Sequence, residues 1–118
     1  MRYRIRSQSD EIVVAGLFGP IPLDWLHDHL GSDAGDLAAV QQRTLDMIRQ
    51  LLREGLFDVG TPTDAGYAQW LMSADEAITE ISNAYVEHFT DRDRWSDTVA
   101  LYLTPKGQAL GRKLDGWG

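Results

Sequence analysis

The longest helical pattern in the chain covers residues 36–55. Its apolar residues recur every three to four positions, which is the spacing of one buried helix face. Asp36 is suited to be the N-cap, and Gly55 is suited to the left-handed position that ends many helices. The pattern predicts an amphipathic helix whose buried stripe consists of Leu37, Val40, Thr44, Leu45, Ile48, Leu51 and Leu52.

Three other stretches indicate helices. Residues 22–31 place three leucines on one face, between a proline suited to a first turn and a glycine suited to a C-terminal cap. Residues 73–76 match a capping box, which predicts a helix over residues 73–89. Thr104 is suited to cap a last helix that has Pro105 at its first position. Residues 9–19 are ambiguous between a short helix and a turn. The helix predicted over residues 73–89 has an acidic outer face, formed by Asp75, Glu76, Glu80 and Glu87.

Strand signals are short and lie between the helices. Residues 56–60 follow the longest helix directly, and apolar side chains alternate over residues 99–103. Residues 2–6 also alternate, which predicts either a first strand or a frayed terminus. The proline and glycine in residues 61–66 predict a loop.

Composition limits the class of protein. The 118 residues fit a single domain, and a hydrophobic content of 43% is sufficient for a core. The sequence contains no cysteine, which excludes disulfides, cysteine-based zinc sites and thiol nucleophiles. No apolar run approaches the roughly 18–20 residues that span a bilayer, so no membrane association is expected and the cytoplasm is the expected compartment.

Two stretches of the chain resemble a winged-helix domain. One is "LLREGLFDVG", in which the longest helix leads straight into a strand, and the other is "ALYLTPKGQAL". The second resembles the end of the wing in MarR-like and PadR-like regulators. In those families the first stretch is the recognition helix that leads into the wing, and the second is the return strand that leads into a C-terminal helix. The resemblance covers residues 22–60 and 98–114.

The chain departs from that pattern between the two wing strands. A short hairpin joins them in a simple winged helix, whereas here residues 61–97 intervene and include the capped helix. A connection of this length is expected to carry packed structure of its own. The predicted fold is therefore α+β and winged-helix-like. It is mostly helical, with a small antiparallel sheet and a helix inserted between the wing strands.

The polar face of the longest helix is the first candidate contact surface. Arginine and glutamine are the side chains that read guanine and adenine edges in a major groove. The alternative is a solvated face on which Asp46 pairs with Arg43 and Arg49, each three residues away. The residues concerned are Gln42, Arg43, Asp46, Arg49, Gln50 and Arg53.

The charged loop that follows the inserted helix is the second candidate. It contains Arg92, Arg94 and Trp95, and both residue types are enriched at interface hot spots. The alternative for Trp95 is that it packs on the core, because tryptophan is mostly buried.

Metal and catalytic chemistry have little support in the sequence. His27 and His29 are two residues apart, so on a helix their imidazoles point to different sides. The chain contains no nucleophile elbow, phosphate-binding loop or dinucleotide fingerprint. We therefore expect no enzyme activity, no metal and no cofactor.

The net charge of the chain indicates which macromolecular partner, duplex DNA or another protein, is favoured. A formal net charge of −7 with only two lysines disfavours duplex DNA, whose binding depends on basic contacts to phosphate. A protein partner of the immunity, antitoxin or adaptor type is favoured over DNA. The alternative is a winged-helix transcriptional regulator, for which the resemblance implies a homodimer built on the last helix.

Overall fold

The computed structural model describes residues 7–31, 36–96 and 98–117. The strand predicted over residues 2–6 lies outside these ranges. The elements are α1 (Gln8–Gly16), β1 (Ile21–Pro22), α2 (Leu23–Leu30), α3 (Leu37–Arg53), β2 (Phe57–Thr63), β3 (Gly66–Gln69), α4 (Ala74–Tyr85), a 3-10 turn (Arg92–Arg94), β4 (Ala100–Leu103) and α5 (Pro105–Arg112), which continues into a π-helical turn (Lys113–Trp117).

The four strands form one antiparallel sheet, with the order β1-β4-β2-β3. The strand that follows α3 therefore pairs directly with the strand that precedes α5, with Phe57 opposite Leu103 and Gly60 opposite Ala100. Between these two strands the chain inserts β3 and α4. The predicted α+β class and the predicted helical insertion between the two strands are both confirmed.

The loop predicted over residues 61–66 is wrong. These residues extend β2 to Thr63, turn at residues 64–65 and begin β3 at Gly66, where φ is +131°. The pairing of β2 with β4 stops at Gly60, so Pro62 pairs only with β3, opposite Tyr67. A proline is tolerated there because its missing amide is not needed by a second neighbouring strand.

The core lies between the helices and one face of the sheet. It includes Ile12 of α1, Leu26 of α2, Ile48 of α3, Ile81 of α4 and Leu101 of β4, all essentially inaccessible to solvent. Burying such side chains is the main favourable contribution to folding.

The predicted stripe of α3 is correct except at its start. Leu37, the first helical residue, is 47% exposed. Two polar residues are buried in the stripe with their hydrogen bonds satisfied. Gln41 Nε2 donates to the Tyr85 carbonyl at 3.3 Å, and Thr44 Oγ1 donates to the Val40 carbonyl at 2.8 Å.

The stretch "TPKG" ties the start of α5 to the end of α3. Thr104 Oγ1 accepts from the Gly107 amide as the N-cap and donates to the Gly55 carbonyl at 2.6 Å. Lys106 Nζ donates to the Glu54 carbonyl at 2.7 Å, where a cation also interacts favourably with the helix dipole. A Cβ at Gly107 would lie 2.1 Å from the Leu56 carbonyl oxygen, so this position requires glycine. We call Thr104, Lys106 and Gly107 the clip.

Candidate interaction surfaces

The exposed side of α3 forms a shallow groove of about 460 Å³. All of its lining residues belong to α3, at the spacing of a single helix face. The groove continues toward the end of the helix past Arg49, Arg53 and Glu54. We call the residues that line it the α3 face: Ala39, Gln42, Arg43, Asp46, Met47 and Gln50.

The arginines beside this face are paired with carboxylates. Arg53 Nη2 donates to both carboxylate oxygens of Asp75, at 2.9 and 3.2 Å. Arg49 Nε lies 3.3 Å from the same carboxylate without hydrogen-bond geometry, and Arg49 Nη1 lies 3.8 Å from Asp46. The positive charges of Arg49 and Arg53 are thus balanced by the negative charges of Asp46 and Asp75.

Two further polar side chains of the face, Gln42 and Arg43, also contact the chain itself. Gln42 Nε2 donates to Asp46 at 2.9 Å. Arg43 Nη1 donates to the Leu30 carbonyl at 3.1 Å. The sequence predicts Asp46 as the partner of both Arg43 and Arg49, and the structure bears this out for Arg49 alone. The carboxylate of Asp75 was missed because α4 contributes it, and nothing local in the sequence links α4 to α3.

The prediction that Trp95 is a contact residue is wrong. Its side chain is completely buried and stacks on Phe89, with ring centroids 5.1 Å apart. The indole Nε1 donates to the Phe89 carbonyl at 2.9 Å, so its polar atom is satisfied inside. The alternative stated for Trp95, a core position, is the correct one.

Arg92 and Arg94 lie on the 3-10 turn and are more than half exposed. The Arg92 guanidinium lies 5.2 Å from the Trp95 ring centroid and 4.0 Å from Asp28 on α2. Arg94 Nε lies 3.9 Å from Asp91. Exposed pairs of this kind contribute about 0–1 kcal/mol each. The predicted site residues therefore lie on two different elements.

The two histidines of α2 have different neighbours, as their spacing predicts. His27 Nδ1 lies 2.5 Å from the Tyr85 hydroxyl, and His29 stacks on Trp25 and lies 3.6 Å from Glu11. Burial lowers the pKa of His27. Asp28 opposes this shift and Arg92 adds to it. Burial raises the pKa of the Tyr85 hydroxyl, against the effect of a hydrogen bond with Thr44. This pair joins α2 to α4 on the inner side of the fold.

A second surface, which the sequence does not reveal, lies where α1 meets β1 and α2. Phe18 is 82% exposed and Trp25 is 37% exposed. They border a pocket of about 280 Å³ whose other lining residues are Ala15, Gly19, Pro20, Ile21 and Pro22. We call Phe18, Pro20, Pro22 and Trp25 the Phe18 surface. The only sequence signal for it was an apolar run that continues past the end of a short helix.

The fold and these surfaces define a mixed α+β domain whose exposed features are an amphipathic helix face and an apolar pocket. Comparisons with protein-family models, with curated proteins and with solved structures found no match. Within the described ranges, no helix is long and apolar enough to cross a membrane. The same ranges hold no group of three or more His, Asp or Glu side chains arranged for a metal ion.

Proposed function

We propose that this chain is a non-enzymatic interaction domain that binds a basic protein partner through the α3 face. An immunity, antitoxin or adaptor role would fit such a domain. The observation that carries the proposal is the double contact of Asp75 with Arg49 and Arg53. Together with the contact between Asp46 and Arg49, it offsets the charge of the two cations that a DNA-reading helix would need for phosphate or guanine.

The surroundings of the α3 face favour a basic partner. The outer side of α4, which packs beside α3, carries Asp75, Glu76 and Glu80, and Glu87 follows the helix, which ends at Tyr85 and not at residue 89; all four carboxylates are exposed. An excess of carboxylates next to an open helix face speeds the encounter with a positively charged protein. The same carboxylates repel the phosphates of DNA.

A second candidate function, a winged-helix DNA-binding regulator, is favoured by one observation. An exposed helix, α3, leads directly into the β2–β3 hairpin, as a recognition helix leads into a wing. The charge of that hairpin supports the protein partner instead. Residues 57–69 contain Asp58 and Asp64 and neither lysine nor arginine.

Substituting Ala39 tests both functions at once. Ala39 is exposed and lines the groove, so Ala39→Arg adds bulk and positive charge without disturbing the core. Ala38→Arg is the matched control, because Ala38 is also exposed but does not line the groove. The wild type and each variant are immobilised and exposed to lysate of the native cells, with and without nuclease treatment. Retained proteins are then identified by mass spectrometry.

The proposal expects one basic protein to be retained by the wild type and by Ala38→Arg and to be lost with Ala39→Arg. A DNA-binding regulator would behave in the opposite way. Its retained material would be sensitive to nuclease, and Ala39→Arg would strengthen duplex binding through the added charge. Retention of the same protein by the wild type and by both variants would contradict the proposed surface.

A further inference from the structure

Phe18 is the most exposed aromatic side chain among the described residues. It follows Leu17, whose side chain packs within about 3 Å of the position where a Cβ would stand on Gly111 of α5. The backbone is fixed at this point, since the Phe18 amide donates to the Ala15 carbonyl at 3.1 Å. The neighbouring residue anchors α1 to α5, and Phe18 itself is held in solvent. Holding a large apolar side chain in water is unfavourable, and on folded proteins such exposed patches mark interaction sites.

The pocket beside Phe18 is apolar and formed by three elements. Ala15 comes from α1, Ile21 and Pro22 form the edge strand β1, and Trp25 lies in the first turn of α2. Trp25 is fixed in place by stacking on His29, with the rings 4.6 Å apart and nearly parallel. The pocket of about 280 Å³ can take a large aliphatic or aromatic side chain. A rigid pocket with an aromatic wall is the usual receptor for an anchor residue.

The segment that forms the pocket carries charge of one sign, whereas α5, which packs on α1, carries the basic residues Lys106 and Arg112. Residues 7–31 contain Asp10, Glu11, Asp24 and Asp28 and neither lysine nor arginine. Glu11 is connected to the pocket wall through His29, which lies 3.6 Å from its carboxylate and stacks on Trp25. Of these four acids, Asp28 has a guanidinium near it, that of Arg92 at 4.0 Å. An apolar pocket in acidic surroundings is complementary to an apolar side chain flanked by lysine or arginine.

We infer that the Phe18 surface docks a basic peptide segment of another protein, with one large apolar side chain of that segment inserted beside Phe18 and Trp25. This surface lies on different elements from the α3 face, so the inference goes beyond the proposed function and does not depend on it.

The charge also argues against two other occupants. In a two-fold dimer the same patch faces itself, which would bring the four acids of residues 7–31 close to their own copies. In a membrane the exposed aromatics would insert, but the acids would be repelled by anionic lipid headgroups. Both arrangements are unfavourable for the same reason that a basic peptide is favourable.

The test uses random short peptides displayed on phage and selected against the full chain. Binding of the enriched peptides is measured for the wild type, for Phe18→Ser and for Leu71→Ser. Leu71 is the matched control because it is 89% exposed and follows β3, at the opposite edge of the sheet from β1. Neither substitution touches the core, so both variants are expected to fold.

The inference expects peptides that share a large apolar residue next to lysine or arginine. Their affinity should fall about tenfold or more with Phe18→Ser and stay unchanged with Leu71→Ser. It should also fall as salt is raised, because the flanking charges are exposed. Peptides that are acidic, or that bind all three proteins equally, would overturn it.

Two further measurements test whether a second copy of the chain or a membrane occupies the Phe18 surface instead. A dimer in light scattering that Phe18→Ser converts to a monomer would assign the surface to a second copy and overturn the inference. Binding to vesicles that contain phosphatidylserine, lost with Phe18→Ser, would assign it to a membrane and overturn it as well. Ala39→Arg should leave the selected peptides bound, which distinguishes failure here from failure of the proposed function.

Discussion

The clip and the α3 face both carry polar side chains at the surface. Those of the clip bond to backbone carbonyls, whereas the arginines beside the α3 face contact side-chain carboxylates. Thr104 and Lys106 bond to the backbone carbonyls of Gly55 and Glu54, and glycine at position 107 lets the Leu56 carbonyl approach. Arg49 and Arg53 instead contact a carboxylate at the end of another exposed side chain. The first arrangement fixes the path of the chain. The second leaves side chains that a partner can rearrange at little cost.

This difference changes the meaning of the "TPKG" stretch. It was the part of the sequence that suggested a wing, but its hydrogen bonds hold α5 and β4 against the end of α3. A motif that joins elements in this way is informative about the fold. Information about a partner has to come from groups that the fold does not use, such as Gln50 on the α3 face.

The largest effect is expected from Gly107→Ala in the clip. The added Cβ would lie 2.1 Å from a backbone oxygen, which cannot move without separating α5 from β2. We expect the free energy of unfolding to fall by about 3 kcal/mol, measured by urea denaturation.

Gly111→Ala is the control in the same helix. Its Cβ would lie 3.0 Å from the flexible end of the Leu17 side chain, and alanine favours the helix by about 1 kcal/mol. Stability should stay within about 1 kcal/mol of the wild type. Equal effects of the two substitutions would contradict a special steric requirement for glycine at position 107.

A feature could be predicted from the sequence when the residues that form it lie close together along the chain. The capping box of Ser73 and Glu76 and the cap of Thr104 depend on residues three positions apart, and both form as predicted. The pairing of Arg53 with Asp75 spans 22 positions and depends on how α4 packs on α3. No pattern within either helix contains that information.

The errors have equally specific causes. The proline and glycine of residues 61–66 predict a loop, but a proline is compatible with a strand segment that has one neighbouring strand. Trp95 could be a contact or a core residue by composition alone, and only the positions of Phe89 and Tyr85 around it decide the question. The Phe18 surface combines residues from three elements, so no local pattern could indicate it.

A smaller effect is expected from Thr104→Val, which keeps the shape of the clip and removes its hydroxyl. The substitution leaves the Gly107 amide and the Gly55 carbonyl without their partner. The loss of an N-cap costs about 1–2 kcal/mol, and we expect a decrease of this size in thermal or urea unfolding. Thr79→Val is the control, since Thr79 is exposed and its Oγ1 donates to the Asp75 carbonyl within the same helix. A decrease as large for Thr79→Val would contradict a special role of the clip.

The contact between His27 of α2 and Tyr85 of α4 should make the stability of the fold depend on pH. Burial lowers the pKa of His27 below its ordinary value of 6.5. Below pH 6.5 the unfolded chain therefore takes up a proton that the folded chain does not yet bind, and stability falls with decreasing pH. We expect His27→Gln to reduce the slope of unfolding free energy between pH 7 and the lowered pKa. An unchanged slope would mean that other groups cause the acid sensitivity.

The smallest change in stability is expected from Asp75→Asn in the first turn of α4. The carboxylate is exposed and its pairs with Arg49 and Arg53 are solvated, so the loss should be about 1 kcal/mol or less.

The effect of Asp75→Asn on binding should be more informative, because two arginines beside the α3 face lose their counter-charge. Glu80→Gln removes the same charge from the exposed side of α4 and is the control. If the α3 face binds a basic protein, Asp75→Asn should weaken the complex more than Glu80→Gln, and more so at low salt, because freed arginines repel a basic partner. If duplex DNA is the partner, the same substitution should strengthen binding at low salt. Affinity measured for both variants over a range of salt concentrations therefore tests whether Asp75 neutralises the arginines to exclude DNA.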